Sequence, residues 1–126
     1  MARADFIKQL MELGYEVKER GGGCVSFPYT VSVGRLAGQQ IELGFMVTDQ
    51  FPLTPPSGPH VSPCLLQFNT NSNVHPSGGI HQPQPHFGTG FGVGWQYWSR
   101  PHTGWQATDR SVKAYMAHIR HLFDTL

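Results

Sequence analysis

An α+β domain is what the sequence predicts, with a helix at each end, an antiparallel meander of three or four strands, and a long ordered loop before the last helix. Three observations carry this. Apolar residues recur at helical spacing near both ends of the chain. Between residues 24 and 68, apolar residues alternate with small or polar ones, as in half-buried strands. Residues 69 to 104 show neither period, yet they hold Trp95 and Trp98 and border Trp105. The 126 residues, 39% of them hydrophobic, suit one domain spanning 1–126 with its own core.

The elements follow in order. Asp5 to Leu13 reads as a short helix, with Phe6, Ile7, Leu10, Met11 and Leu13 mostly on one face and Lys8, Gln9 and Glu12 on the other. Gly14 stands where a left-handed cap ends it. Cys24 to Val33 reads as a strand, and Pro28 within it calls for an edge or a bulge. Gly34 to Gly38 suits a hairpin connection, after which Ile41, Leu43, Phe45 and Val47 alternate in a second strand. Val61 to Phe68 suits a third. Short links between sequential strands favour a meander. The last helix is predicted to be capped by Thr108 or Asp109, with Val112, Tyr115, Met116, Ile119, Leu122 and Phe123 on its buried face. His118 and His121 are expected at its surface or end.

Composition excludes several classes of function. A formal net charge of +1, with only 13% charged residues, gives no drive toward nucleic acid or a membrane surface. No apolar run approaches the roughly 20 residues that span a bilayer. The first residues turn amphipathic at once, so no signal peptide is expected. Two cysteines without a C-x-x-C spacing point to a reduced, cytoplasmic protein. No cofactor is expected. Gly88 to Gly94 is glycine-rich but lacks the Lys-Ser/Thr ending of a phosphate loop, and reads instead as a close backbone approach or flap.

Four short strings then stand in one order. Phe51-Pro-Leu-Thr-Pro-Pro56 follows the second strand, His75-Pro76 comes next, then Gly79-Ile80-His81, then Trp98-Ser99 with Pro101 and Thr103. In that order they resemble the ubiquitin-conjugating (E2-like) family: its aromatic-Pro-apolar-x-Pro-Pro element, its His-Pro-Asn turn, its Gly-x-Ile-Cys site and its Trp-Ser-Pro-x-x-Thr turn. Trp95 to Arg100 is similar to a Trp-Gln-x-Trp-Ser-Arg string of the bacterial E2-like proteins encoded beside E1-like and ubiquitin-like partners. The resemblance implies a UBC-like fold and a role in ubiquitin-like protein conjugation, with an E1-like activating enzyme and a ubiquitin-like modifier as partners. The chain departs from the family at the site itself. His81 stands where the catalytic cysteine would be, Ser77 where the family has Asn, and residues 81 to 98 are longer than usual.

An acyl carrier needs a partly exposed nucleophile, and a thiolate serves best near neutral pH. Cys64 is the cysteine near the candidate site in sequence, although within a third strand it is expected to be a buried small hydrophobe. Cys24, opening a strand, is expected to be structural. Ser77, flanked by His75 and His81, and Ser99, near His102, are oxyester candidates if a histidine serves as base. Otherwise both are turn hydroxyls. His81 is the first choice for a base, or else merely fills the vacated place of the thiol. His75, His81, His86 and Cys64 have zinc-compatible chemistry, which would make the chain a metal-dependent hydrolase, but no ligand signature spaces them and no acidic residue occurs from 50 to 108. His60 and His86 are expected to cap loops or face solvent. Trp95, Tyr97, Trp98 and Trp105 are expected to anchor the loop to the core, with a partner-binding patch including Trp95 and Trp98 as the alternative. The catalytic role itself is open: a non-catalytic adaptor that binds the E1-like enzyme or the modifier fits the same strings.

Overall fold

A computed structural model of the chain describes residues 2–21, 23–71, 75, 77–82, 91, 94–100 and 102–126, with the side chains of residues 2 and 3 left aside. The order of elements is α1 (Ala2–Glu12), β1 (Lys18–Gly21), β2 (Cys24–Thr30), β3 (Gln40–Met46), β4 (His60–Ser62), β5 (Ile80–His81), β6 (Gln96–Trp98), a 3-10 turn (Trp105–Ala107) and α2 (Val112–Asp124). The protein is thus α+β, a helix at either end of an antiparallel sheet. Among the described residues no helix is long and apolar enough to cross a membrane.

The sheet runs β1-β2-β3-β4-β6-β5, six strands where three or four were expected. β1 has all four residues exposed, so it carries no apolar alternation to betray it. β5 and β6 fall in the stretch expected to be loop and are too short for a period to show. β2 and β3 pair from Cys24 opposite Met46 to Thr30 opposite Gln40, and the Gly34–Gly38 connection closes the hairpin as expected. Gly34 takes φ +76°, and a Cβ there would lie 2.1 Å from the Phe123 carbonyl oxygen, so turn and helix packing both require glycine. Pairing of β1 with β2 stops at Ser26, so Pro28 sits on a local edge where its missing N–H costs nothing.

One face of the sheet meets both helices. Phe6 and Leu10 of α1 and Val112, Tyr115, Ile119 and Phe123 of α2 are buried against Phe27, Leu43, Phe45, Val61, Ile80 and Trp98. Met11 and Leu13, expected on the apolar face of α1, are instead exposed; the helix meets the core through Phe6 and Leu10, with Ile7 half-buried beside them. The opposite face is covered only in part, by Phe91 and Trp95 over Cys24 and Met46. A cross-strand row on this second face takes one residue from each strand: Lys18, Ser26, Gly44, His60, Tyr97 and His81. Gly44 leaves room in it for the Phe91 ring, which an added Cβ would meet at 2.4 Å and push aside.

Two local expectations are corrected. The third strand does not run Val61 to Phe68: it ends at Ser62, where Pro63 removes the next ladder donor. Leu65 and Leu66 donate their N–H groups to the Gln96 Oε1 instead, at 3.0 and 3.2 Å. The N-cap of α2 is Ser111, whose hydroxyl accepts the Ala114 N–H at 3.1 Å. Asp109 accepts from the Ser111 backbone and hydroxyl, and Thr108 accepts the Arg110 N–H, so both shape the turn before the cap.

Candidate functional site

Trp98, Ser99 and Arg100, at the end of β6, form a corner to which Gly58-Pro59 and the Gly78-Gly79 turn are joined directly. On one side the Trp98 N–H donates to the Pro59 carbonyl at 2.9 Å. Gly58 lies so close that a Cβ would stand 2.3 Å from the Trp98 carbonyl oxygen and 2.9 Å from the Arg100 nitrogen. On the other side Ser99 N–H donates to the Gly79 carbonyl at 2.9 Å, and the Arg100 guanidinium donates to the Gly78 carbonyl. Downstream, the Trp105 indole donates to the Pro52 carbonyl at 2.8 Å, which ties the proline segment to the 3-10 turn. Because the atoms crowding Gly58 are backbone, they cannot swing away. Gly58→Ala is therefore expected to cost about 1–3 kcal/mol, read as a lowered urea midpoint, while an alanine at exposed Gly38 would report only its positive φ.

Strand alternation then divides the predicted catalytic residues. On the helix side of β6, His75 packs on Trp98, with ring centroids 6.2 Å apart, and its Nε2 donates to the Leu122 carbonyl at 2.7 Å. His118 donates from Nε2 to the Arg100 carbonyl at 3.1 Å and stacks on His102 with centroids 4.5 Å apart. His118 is thus half-buried in a cluster rather than at the surface, while His121 is exposed as expected. Burial lowers the affinity of His75, His102 and His118 for a proton. The Arg100 charge and the His121 imidazole push His75 the same way, and neighbouring imidazoles push His118, against the two carbonyls they bond. At pH 7 these imidazoles are neutral.

His81 and Ser99 lie on the other face. His81 is opposite Tyr97, their rings 6.2 Å apart, and the Ser99 hydroxyl bonds the Tyr97 phenol. Burial raises the Tyr97 affinity for its proton, with Ser99 and the Gly58 backbone acting against it. His60 continues this row, stacked on Phe91 at 4.2 Å and on Tyr97 at 4.8 Å. It is fully buried, contrary to the expectation that it faces solvent, because β4 is an interior strand and Phe91 closes over it. Burial lowers its pKa to about 4, with a weaker backbone bond at Gly44 opposing.

The pairings expected from sequence therefore separate. Ser99 turns its hydroxyl to Tyr97, whereas its proposed base His102 stacks on His118. Ser77 is exposed, and its backbone carbonyl accepts from the Asn69 amide at 2.6 Å, while His75 points inward to α2. Cys64, expected to be buried, is exposed, because the chain has left the sheet by then; Cys24 is buried as expected. Beside Cys64 a groove of about 560 Å³ is lined by Arg35, Leu65, Leu66, Gln67, Asn69 and Ser77. Trp98 is fully buried and Trp95 nearly so, as anchors of the loop would be. Arg20 lies over the Trp95 ring at 5.1 Å. Among the described residues no three His, Cys, Asp or Glu side chains could hold a metal ion, and His75 and His81 stand on opposite faces. Pro76, His86, Pro101 and residues 88–90, 92 and 93 of the glycine-rich run lie outside the described residues.

Two residues of this corner escape a reading of the sequence. Gln96 is fully buried and clamps the 65–66 segment through both ends of its amide. Arg100 is buried, 6% exposed, and no carboxylate acts on it. The signal that marks it is its place as a lone cation in a stretch with no acidic residue from 50 to 108. Comparison with protein-family models, with curated proteins and with solved structures gives no match.

Proposed function

We propose that this protein is a UBC-like, E2-like component of a bacterial ubiquitin-like protein conjugation pathway, acting in the cytoplasm. It receives or positions the C-terminus of a ubiquitin-like modifier, delivered by an E1-like enzyme, for transfer to an amine. One observation carries this reading. The Gly79-Ile80-His81 strand and the Trp98-Ser99 turn bond to each other, His75 packs on Trp98, and the proline segment is tied to the same core through the Trp105 indole, so segments far apart in the chain come to one region between the helices and the sheet. Neither cysteine forms a disulfide, which suits a reducing compartment.

Within this reading the nucleophile is Cys64, since it is exposed while the serine hydroxyls stand apart from imidazoles. Its thiolate would attack the modifier carbonyl on the E1-like thioester and expel that enzyme's thiol; a lysine amine would then displace Cys64. The separation of Ser77 and Ser99 from His75 and His102 favours, as a second reading, a non-catalytic adaptor. Incubation with the E1-like enzyme, modifier and ATP separates the two. A reductant-sensitive adduct lost in Cys64→Ser supports the carrier; a base-labile, reductant-resistant adduct moves the role to Ser77 or Ser99. Binding without an adduct supports the adaptor, and neither binding nor adduct removes the conjugation reading.

A further inference from the structure

The second half of β2 is a sheet edge that the described residues leave open. The ladder to β1 ends at Ser26, and no strand lies beyond Pro28 and Thr30 on that side among the described residues. The hairpin shows where their backbone groups point. Val31 N–H donates to the Gln39 carbonyl at 2.9 Å and the Val31 carbonyl accepts from Gly38 at 2.7 Å, so Val31 faces β3. These groups alternate in direction along a strand, and β2 pairs with β3 in unbroken register. Pro28 and Thr30 therefore aim theirs away from the sheet. Pro28 offers a carbonyl, and Thr30 both an N–H and a carbonyl. A groove of about 550 Å³ adjoins this edge, lined by Pro28, Tyr29 and Thr30 from the strand and by Lys113, Met116 and Arg120 from α2. The exposed Leu13 lines it too. Its lining has two cations and no carboxylate. Lys113 acts on Asp109 before α2, and Asp124 shares a smaller neighbouring groove with Arg120, yet among the described residues neither cation forms an ion pair.

We propose that this groove docks an extended acidic segment of a partner protein, which adds a strand to the β2 edge and sets its carboxylates on Lys113 and Arg120. In an antiparallel docking the residue opposite Thr30 exchanges two hydrogen bonds with it, and the residue opposite Pro28 donates one to the proline carbonyl. The faces of the sheet decide which residues of the segment are acidic. Tyr29 points to the helix face, stacked on Phe123 with centroids 5.8 Å apart. A docked residue opposite Tyr29 shares that face, so its side chain enters the groove while its own N–H turns away from β2. The backbones of Lys113 and Arg120 are about 10 Å apart along α2. Same-face residues of a strand recur every ~7 Å, so carboxylates on alternate residues come within reach of both long cations. A second copy of this chain, paired edge to edge, would set these cations against each other. A polynucleotide or a lipid headgroup supplies anions but no row of N–H groups for the Pro28 and Thr30 carbonyls. The surface does not rest on the conjugation reading: docking here and transfer at Cys64 can each occur without the other.

The test is a nuclear magnetic resonance titration of the full chain with acetyl-Glu-Val-Glu-Val-Glu amide, the same peptide with lysine in place of glutamate, and two acidic forms N-methylated at the valines or at the glutamates. The acidic peptide is expected to shift the Thr30 amide saturably and to slow its exchange with solvent. Methylating the valines, whose N–H groups face the edge, is expected to abolish binding, whereas methylating the glutamates is expected to change it by less than about three-fold. The lysine peptide is expected to bind at least about ten-fold more weakly at low salt. Lys113→Glu combined with Arg120→Glu, both exposed positions, is expected to reverse that preference. If this variant does not fold, the four peptides on the wild-type chain still decide. An unmoved Thr30 amide, equal binding of acidic and lysine peptides, or equal effects of the two methylations each overturns the proposal. So do Thr30 shifts that grow with protein concentration alone, which give the edge to a second copy, and tighter binding of a thymidine oligonucleotide or of phosphatidylserine vesicles than of the acidic peptide.

Discussion

Trp98→Ala is expected to cost about 3–5 kcal/mol, a large part of the stability of a domain this size. Trp98 is fully buried, packs on Phe123 with ring centroids 5.4 Å apart, faces His75 and lies opposite Ile80 across β5 and β6. Its indole N–H donates to Gln96 Oε1 at 3.3 Å, the same oxygen that holds Leu65 and Leu66. Truncation would open a cavity beneath α2 and loosen the clamp on the segment carrying Cys64. Urea denaturation measures the loss. Trp98→Phe, which keeps most of the volume and loses the N–H, is expected to cost clearly less. Equal costs would place the effect in the hydrogen bond, and a cost under about 1 kcal/mol would contradict a packed tryptophan here.

Acid is expected to destabilise the protein well above the range where carboxylates titrate. In the unfolded chain His60 takes a proton as pH falls past its ordinary 6.5, whereas the folded imidazole does so only near 4. Between those values the unfolded state binds more protons, so stability falls as pH falls. The stability is complete above about pH 6.5, and roughly 3 kcal/mol has gone by pH 4. His75, His102 and His118 are lowered as well and add to the loss with the same sign. Urea midpoints from pH 7.5 to 4.5 test this. His60→Phe is expected to flatten the upper part of the curve, because an aromatic ring keeps the stack on Phe91 without a titrating nitrogen. A midpoint constant from pH 7.5 to 5 would show that His60 is not held neutral by burial.

Much of the frame was legible because it is local. The hairpin needs only alternation on either side of Gly34 to Gly38, and α2 only its repeat from Val112 to Phe123. The four strings were legible too, and rigid prolines help bring them around one core. The site was less so. His60 and Cys64 are four residues apart, and their burial is the reverse of what residue type suggests.

By itself, then, the sequence determined the α+β class, the end helices, the β2–β3 hairpin and the order in which its unusual segments follow one another. Only the tertiary structure decided that β5 and β6 join the sheet, that His60 is core and Cys64 is surface, and that Ser99 turns from His102 toward Tyr97. A helix or hairpin is set by contacts a few residues apart, and periodicity records them. The face a side chain occupies in a short strand is set by partners dozens of residues away, and a two- or three-residue strand carries no period from which to read it.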